Sequence, residues 1–136
     1  MNEETRFDGL LRFEVASAFD PHFVCTLVQY HEPPDRYGLR CKLGGYAEEA
    51  GSWENPVPRH VVEQIFSELA AIRLVLAPDF GMGLDGTHYD LTVTRGWNSL
   101  VLHWWARSPS QWKEIVPILR RIVALAGPRA AGVQIE

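Results

Sequence analysis

The sequence predicts an α+β fold: a mostly antiparallel sheet in the order β-β-β-α-β-β-α, with two helices packed on one face. Three observations predict it. Strand-like runs alternate apolar and polar residues with a period of two, and two other segments repeat apolar residues at helical spacing. The strands also come in consecutive groups, instead of alternating one by one with helices as a parallel α/β sheet requires.

The elements follow in order. Leu11, Phe13 and Val15 alternate with Arg12, Glu14 and Ala16, as in a half-buried strand. Asp20-Pro21 signals a turn, and Phe23 to Tyr30 is a β-branched and aromatic run. After Pro33-Pro34-Asp35, Tyr37, Leu39, Cys41 and Leu43 alternate with Gly38, Arg40 and Lys42, and Gly44-Gly45 ends that strand. An antiparallel meander is expected. Residues 46–58, with Gly51, Pro56 and Pro58, are expected to be irregular. Val61, Val62, Ile65, Phe66, Leu69 and Ile72 then mark a helix, with Pro58 suited to its first turn. Leu74-Val75-Leu76 reads equally as its last turn or as a short strand, and Pro78 ends either.

The next segment specifies its own register. Tyr89, Leu91 and Val93 share one face of a strand, and His88, Asp90, Thr92 and Thr94 the other. Beyond a turn at Gly96-Trp97, Leu100, Leu102 and Trp104 alternate with Val101, His103 and Trp105. Pairing the two strands about that turn sets Val93 against Leu100, Leu91 against Leu102 and Tyr89 against Trp104. A slip of one residue would destroy the match. For the last helix, Ser108 reads as the cap, Pro109 as the first helical residue and Gln111 as the partner in a capping box. Trp112, Ile115, Val116, Leu119, Ile122, Val123 and Ala126 form its apolar stripe, and Gly127-Pro128 stops it. Pro117 inside this helix should kink it at a cost of about 3 kcal/mol. The tail from Arg129 is expected to be frayed or a short edge strand.

A length of 136 residues suits one domain with one core. The apolar share of 46% and charged share of 22% place it among globular proteins. The net charge of −4 argues against a nucleic-acid binder, which needs concentrated basic surface to displace counterions. The start is acidic with no apolar signal region, and the most apolar stretch, 115–126, is broken by Pro117 and Arg120-Arg121. No membrane span is expected, and a cytoplasmic location is the default. Cys25 and Cys41 are too few for a disulfide framework and read as buried thiols.

Motifs with catalytic overtones reduce to turns. Gly81-Met82-Gly83-Leu84-Asp85-Gly86 spells a dinucleotide fingerprint, but a strand follows where that chemistry needs a helix N-terminus. Asp79-Phe80-Gly81 matches a kinase triplet by letter only, without a catalytic loop. Asp85-Gly86-Thr87 reads as a tight turn, and a calcium loop would need acidic residues that do not follow. His22, His31, His60, His88 and His103 show neither helical nor alternate-strand ligand spacing, so no metal or other cofactor is expected.

Four residues are the candidate site. The hairpin register sets Asp90 opposite His103 on the face away from the core, with His88 and Trp105 as the adjoining pair. An Asp–His pair orients an imidazole for general-base work, and it is also an ordinary favourable cross-strand pair. No activated nucleophile accompanies it, although Thr92 and Ser99 share its face. Trp97 at the turn tip and Trp105 on the non-core face are either covered by a loop or the second helix, or they form a partner surface.

The run Gly83-Leu84-Asp85-Gly86-Thr87-His88-Tyr89, then His103-Trp104-Trp105, then Pro109 to Trp112, resembles a pattern of uncharacterised bacterial proteins. In those, an LDGT-x-(Y/W) turn and strand precede a (Y/W)W strand end and a P-x-x-W helix start. The resemblance covers roughly residues 83–125 and names no activity. It implies that the turn, the paired tryptophans and the helix are architectural, with Trp104 and Trp112 packed together. By analogy, similar small α+β proteins act as immunity factors beside toxin genes. The expected function is a non-enzymatic interaction domain, using an acidic sheet face or the Trp97 turn to bind a protein partner or itself. The alternative is a small-molecule binder or modest hydrolase with Asp90 and His103 in a groove.

Overall fold

A computed structural model describes residues 7–17, 22–31, 35–44, 51–79 and 86–136. The Asp20-Pro21 turn, the Pro33-Pro34 break, Gly45 and the glycine-rich stretch 80–85 lie outside the described residues. The elements are β1 (Phe7–Ala16), β2 (His22–Tyr30), β3 (Arg36–Gly44), β4 (Gly51–Val57), α1 (Arg59–Ala71), β5 (His88–Arg95), β6 (Asn98–Trp105) and α2 (Ile115–Ala124). The strands form one antiparallel sheet in the order β4-β3-β2-β1-β5-β6. The α+β class therefore holds, with one strand more than the sequence predicts. No helix among the described residues is long and apolar enough to cross a membrane.

The additional strand is β4, in a stretch expected to be irregular. Its glycine and proline are compatible with pairing because it lies at the sheet's edge, where Pro56 needs no ladder partner. The inward side is built on polar contacts as well as packing. The Trp53 indole donates to the Ala126 carbonyl at 2.8 Å, and Asn55 donates to the Leu125 carbonyl at 2.9 Å. Both carbonyls belong to the end of α2, where backbone acceptors lack intrahelical partners.

A bulge shapes β1. Gly9 pairs with Val28 but Leu11 with Leu27, so Leu10 is an extra residue in the ladder. Beyond the bulge Phe7 pairs with Tyr30, away from the helices, where the rings meet edge to face at 5.9 Å. From Leu11 onward the expected alternation holds: Leu11, Phe13 and Val15 are buried against the helix layer.

Both helices share one core with that face of the sheet. Phe13, Phe23, Leu27, Leu39, Leu91, Leu119 and Ile122 are among its fully buried members. Burying a side chain of this kind contributes about 1.5–3 kcal/mol. An aromatic chain crosses the core: Phe13 stacks near Tyr89 at 6.3 Å, Tyr89 on Trp104 at 5.3 Å, and Trp104 meets Trp112 edge to face at 6.5 Å. Cys25 and Cys41 are directly opposite one another on β2 and β3 and are free, buried thiols. Burial pushes both thiols up, Cys41 to about 11.

Other boundaries differ from expectation. α1 ends at Ala71, where the Ile72 amide bonds the Leu69 carbonyl, and residues 72–75 are neither helix nor strand. Ser108 and Gln111 form no capping box: the Ser108 amide donates to the Glu136 carbonyl at 3.0 Å, and Gln111 donates to Asp79 at 2.8 Å. A 3-10 turn at Ser110–Trp112 comes first, and α2 begins at Ile115. Pro117 is the reason. In a helix running from Pro109 its ring would clash with the Lys113 carbonyl, whereas as the third residue of α2 its missing N–H costs nothing. The expected kink is thereby replaced by a later start.

The tail is neither frayed nor a strand. Ile135 is buried, Tyr89 donates to the Gln134 carbonyl, Trp104 to the Glu136 carbonyl and Arg120 to the Ile135 carbonyl. Side chains from β5, β6 and α2 thus clamp the last residues.

Candidate functional site

The β5–β6 hairpin carries all four candidate residues, and its register is the one the sequence specifies. Val93 pairs with Leu100, Leu91 with Leu102, Asp90 with His103 and His88 with Trp105. The loop is Gly96-Trp97, closed by the pair Arg95 and Asn98. Gly96 has φ of +60°, the conformation a II′ turn needs at its first central position. That turn leaves Trp97 fully exposed at the tip.

Asp90 and His103 meet as expected, with Oδ1 and Nδ1 2.6 Å apart. Beside them the His88 ring lies 3.7 Å from the Trp105 ring in an edge contact, and 5.6 Å from that of His103. The sheet adds a second acid–imidazole pair that the sequence reading missed. Glu14 on β1 pairs directly with Asp90, and its carboxylate bonds His22 from β2 as well as Arg12 at 2.8 Å. The row His22, Glu14, Asp90, His103 therefore spans four strands on the face away from the helices. Alternation marks Glu14 as outward facing, but locating His22 beside it requires the β1–β2 register. The expected core thiols and the expected pairing give no hint of it.

The Asp90–His103 end of this row is open to water. The side chains of His103 and Asp90 are 56% and 37% exposed, so the low dielectric that would strengthen a catalytic pair is absent. Asp90 and His103 also line neither of two grooves found among the described residues. One of these, about 710 Å³, lies over β1 to β4 on the open face and is lined by Arg12, His22, Arg40, Lys42 and Glu54. With Arg36 stacked on Tyr30 and Arg40 on Phe7, basic residues outnumber acidic ones there. The expected acidic face is thus corrected: outward positions of β3 take Arg36, Arg40 and Lys42, while Glu63, Glu68 and Glu114 lie on or beside the helices. Among these groups Tyr30 is perturbed, its phenol pushed up by desolvation and by its bond to Glu54.

The second groove, about 340 Å³, was also missed. It runs between the end of α1 and the hairpin on the helix side, lined by Phe66, Leu69, Leu74, Leu100 and Leu102 among others. Neither helix reaches the outer part of β6, so Leu100 remains exposed although it occupies a core-facing position. Val75 and Leu76, which follow α1, are exposed as well.

These features converge on β6, the last strand of the sheet. No other strand among the described residues pairs with its outer side. A two-residue loop makes the closing pair, Arg95 and Asn98, a hydrogen-bonded one. The bond from the Ala106 amide to the Thr87 carbonyl at 2.9 Å continues the same phase. Alternation then points the backbone groups of Ser99, Val101 and His103 outward, away from β5. Val101 is exposed, Trp105 is 36% exposed, and the strand contains no Asp, Glu, Lys, Arg or Pro. Trp97 and Trp105 are not brought together. They lie at opposite ends of β6, roughly 26 Å apart along an extended strand. Neither is covered as a purely architectural role would require: Trp97 is bare, and Trp105 is shielded on one side by His88.

Compared with known proteins, the chain matches no family model and no curated protein.

Proposed function

We propose that this chain is a non-enzymatic protein-interaction domain and that it binds through the outer edge of β6 and the Trp97 turn. One observation carries the reading: an eight-residue edge strand without charge or proline, bearing exposed Val101 and Trp105 and ending in a bare tryptophan. Natural edges are ordinarily blunted by lysine, proline or a covering segment, because an open ladder templates pairing with another chain. A partner strand would gain main-chain hydrogen bonds from the ladder and specificity from alternate side chains. Exposed tryptophans are residues on which binding energy concentrates. An inhibitor of the immunity type would be one instance of such a domain.

The test compares what wild-type protein, Trp97→Ala and Val101→Lys each retain from a native lysate, followed by purified binding of whatever differs. Both positions are solvent-facing, so folding should survive in each variant. Loss of the same partner from both variants is expected. Identical retention by all three proteins would sink the reading.

The 2.6 Å contact between Asp90 and His103 favours a second reading, a small-molecule site or modest hydrolase at that pair. Its exposure and its position outside both of those grooves weigh against it. In that case His103→Ala should abolish ligand binding, while Val101→Lys leaves it intact.

A further inference from the structure

Resting on the proposed use of the β6 edge, we infer that its occupant is a second copy of this chain, paired β6 to β6 about a two-fold axis at Val101. An antiparallel edge is the one surface a strand can offer that is automatically complementary to itself under such an axis. Most edges cannot exploit this, since self-pairing places like charges opposite one another. β6 escapes the difficulty, because no acidic or basic side chain lies between Asn98 and Trp105 except the imidazole of His103.

The outward backbone phase restricts the register. Ser99, Val101 and His103 present both amide and carbonyl, whereas the carbonyl of Trp105, in the same phase, is taken by the Arg107 amide, so the first three must meet one another. With the axis at Val101, Val101 faces its own copy and Ser99 faces His103 of the second molecule. About six main-chain hydrogen bonds result, two per facing pair. The same register sets Leu100 against Leu102 on the helix side, where the apolar groove borders the edge. It also brings the turn bearing Trp97 alongside Trp105 of the other copy. The exposed apolar residues of the strand and its turn thus acquire apolar partners. Moving the axis to His103 would face that imidazole with itself and leave Trp97 beyond the paired region. An axis at Leu102 would set Val101 against His103 and Trp105 against Ser99. The match is best at Val101.

The product is one continuous sheet of two copies, with β4 at both outer ends. Each copy carries a net charge of −4, so added salt should favour the assembly by screening their repulsion.

Three measurements on the full chain test the inference. Sedimentation or light scattering across a concentration series should show the mass rising from 15.4 kDa towards twice that value, sooner at high salt. Val101→Lys, which sets two ammonium groups face to face, should hold the protein at monomer mass with an unchanged circular dichroism spectrum. Under mild oxidation Val101→Cys should form a covalent dimer, whereas Ser99→Cys, four residues out of register with itself, should not. A monomer at every concentration overturns the inference, as does a dimer that Val101→Lys leaves intact. A dimer cross-linked by Ser99→Cys overturns the register. Selective loss of a different protein from Trp97→Ala and Val101→Lys would still uphold the broader interaction reading, so the two ideas fail separately.

Discussion

β4 and β6 occupy the two ends of the sheet, and they are finished in opposite ways. β4 carries Pro56, which withholds a donor, and Glu54, whose carboxylate bonds Tyr30 and lies close to Arg40. Its inward residues reach across to α2, with Trp53 and Asn55 holding carbonyls at the end of that helix. Arg129 stacks over the Trp53 ring as a further cover. Among the described residues nothing comparable covers the outer side of β6, whose contacts run inward to β5, to the core and to the tail. An edge strand can therefore be either a seam closed by its own chain or a ladder left open, and the residues at outward positions decide which. Here one sheet contains both solutions.

The comparison can be broken at several points, taken from the largest expected effect downward. Trp53→Ala removes the indole bond, the Arg129 stacking and much of the packing of β4 on α2. Destabilisation of about 3 kcal/mol is expected in urea unfolding. If the loss is negligible, β4 is not the closed seam described above. Asn55→Ala should cost about 1 kcal/mol, since the Leu125 carbonyl loses its partner while the packing remains. On the opposite edge, Trp97→Ala should alter unfolding by less than about 0.5 kcal/mol, because the side chain touches only solvent in the free chain. A loss as large as that for Trp53 would show that the turn tip is covered.

Two pH effects sharpen the contrast further. Cys41 on the β4 side has its thiol raised from 9.0 to about 11, mainly by burial. A raised folded value means stability is fully present below pH 9 and falls as pH rises from 9 towards 11, where the unfolded thiol ionises first. Cys41→Ala should lessen that alkaline decline and leave the part contributed by the buried Cys25 thiol, which is raised as well. The smallest effect is at Glu68 on α1, whose carboxyl is held below its usual value chiefly by its bond to Arg121 on α2. A depressed folded value gives stability that is present at neutral pH and lost as pH falls through that value. The difference between wild type and Glu68→Gln in thermal unfolding should be slight at pH 7 and should vanish in acid.

The hairpin was the most legible part of the chain because its information is local. A two-residue loop fixes which residues face each other, and the apolar pattern permits only one phase, so Asp90 and His103 could be paired from letters alone. β4 was illegible for the complementary reason. Its glycine, proline and inward asparagine resemble a loop until the α2 carbonyls, some 70 residues later, supply the hydrogen-bond partner. The start of α2 misled in another way: Ser108, Pro109 and Gln111 are good capping residues, yet Pro117 vetoes a helix begun there. The pairing of Glu14 with His22 escaped notice because it depends on the β1–β2 register, which the Asp20-Pro21 turn signal alone does not specify. Exposure was equally hidden. Leu100 and Leu102 have the same pattern in sequence, and only the reach of the two helices makes one open and the other buried.

The clamped tail has a consequence for biosynthesis. Trp104 and Ser108 both depend on the carbonyl of residue 136, and Tyr89 on that of residue 134, so the hairpin cannot be secured at its far end until those residues have left the ribosome. During translation the neutral strand is exposed on nascent chains held side by side on one message, while β1 to β4 are already complete. Neighbouring chains would then meet at the stage when their ladders are least guarded, and slowing the synthesis of residues 134–136 should show itself as co-translational clumping.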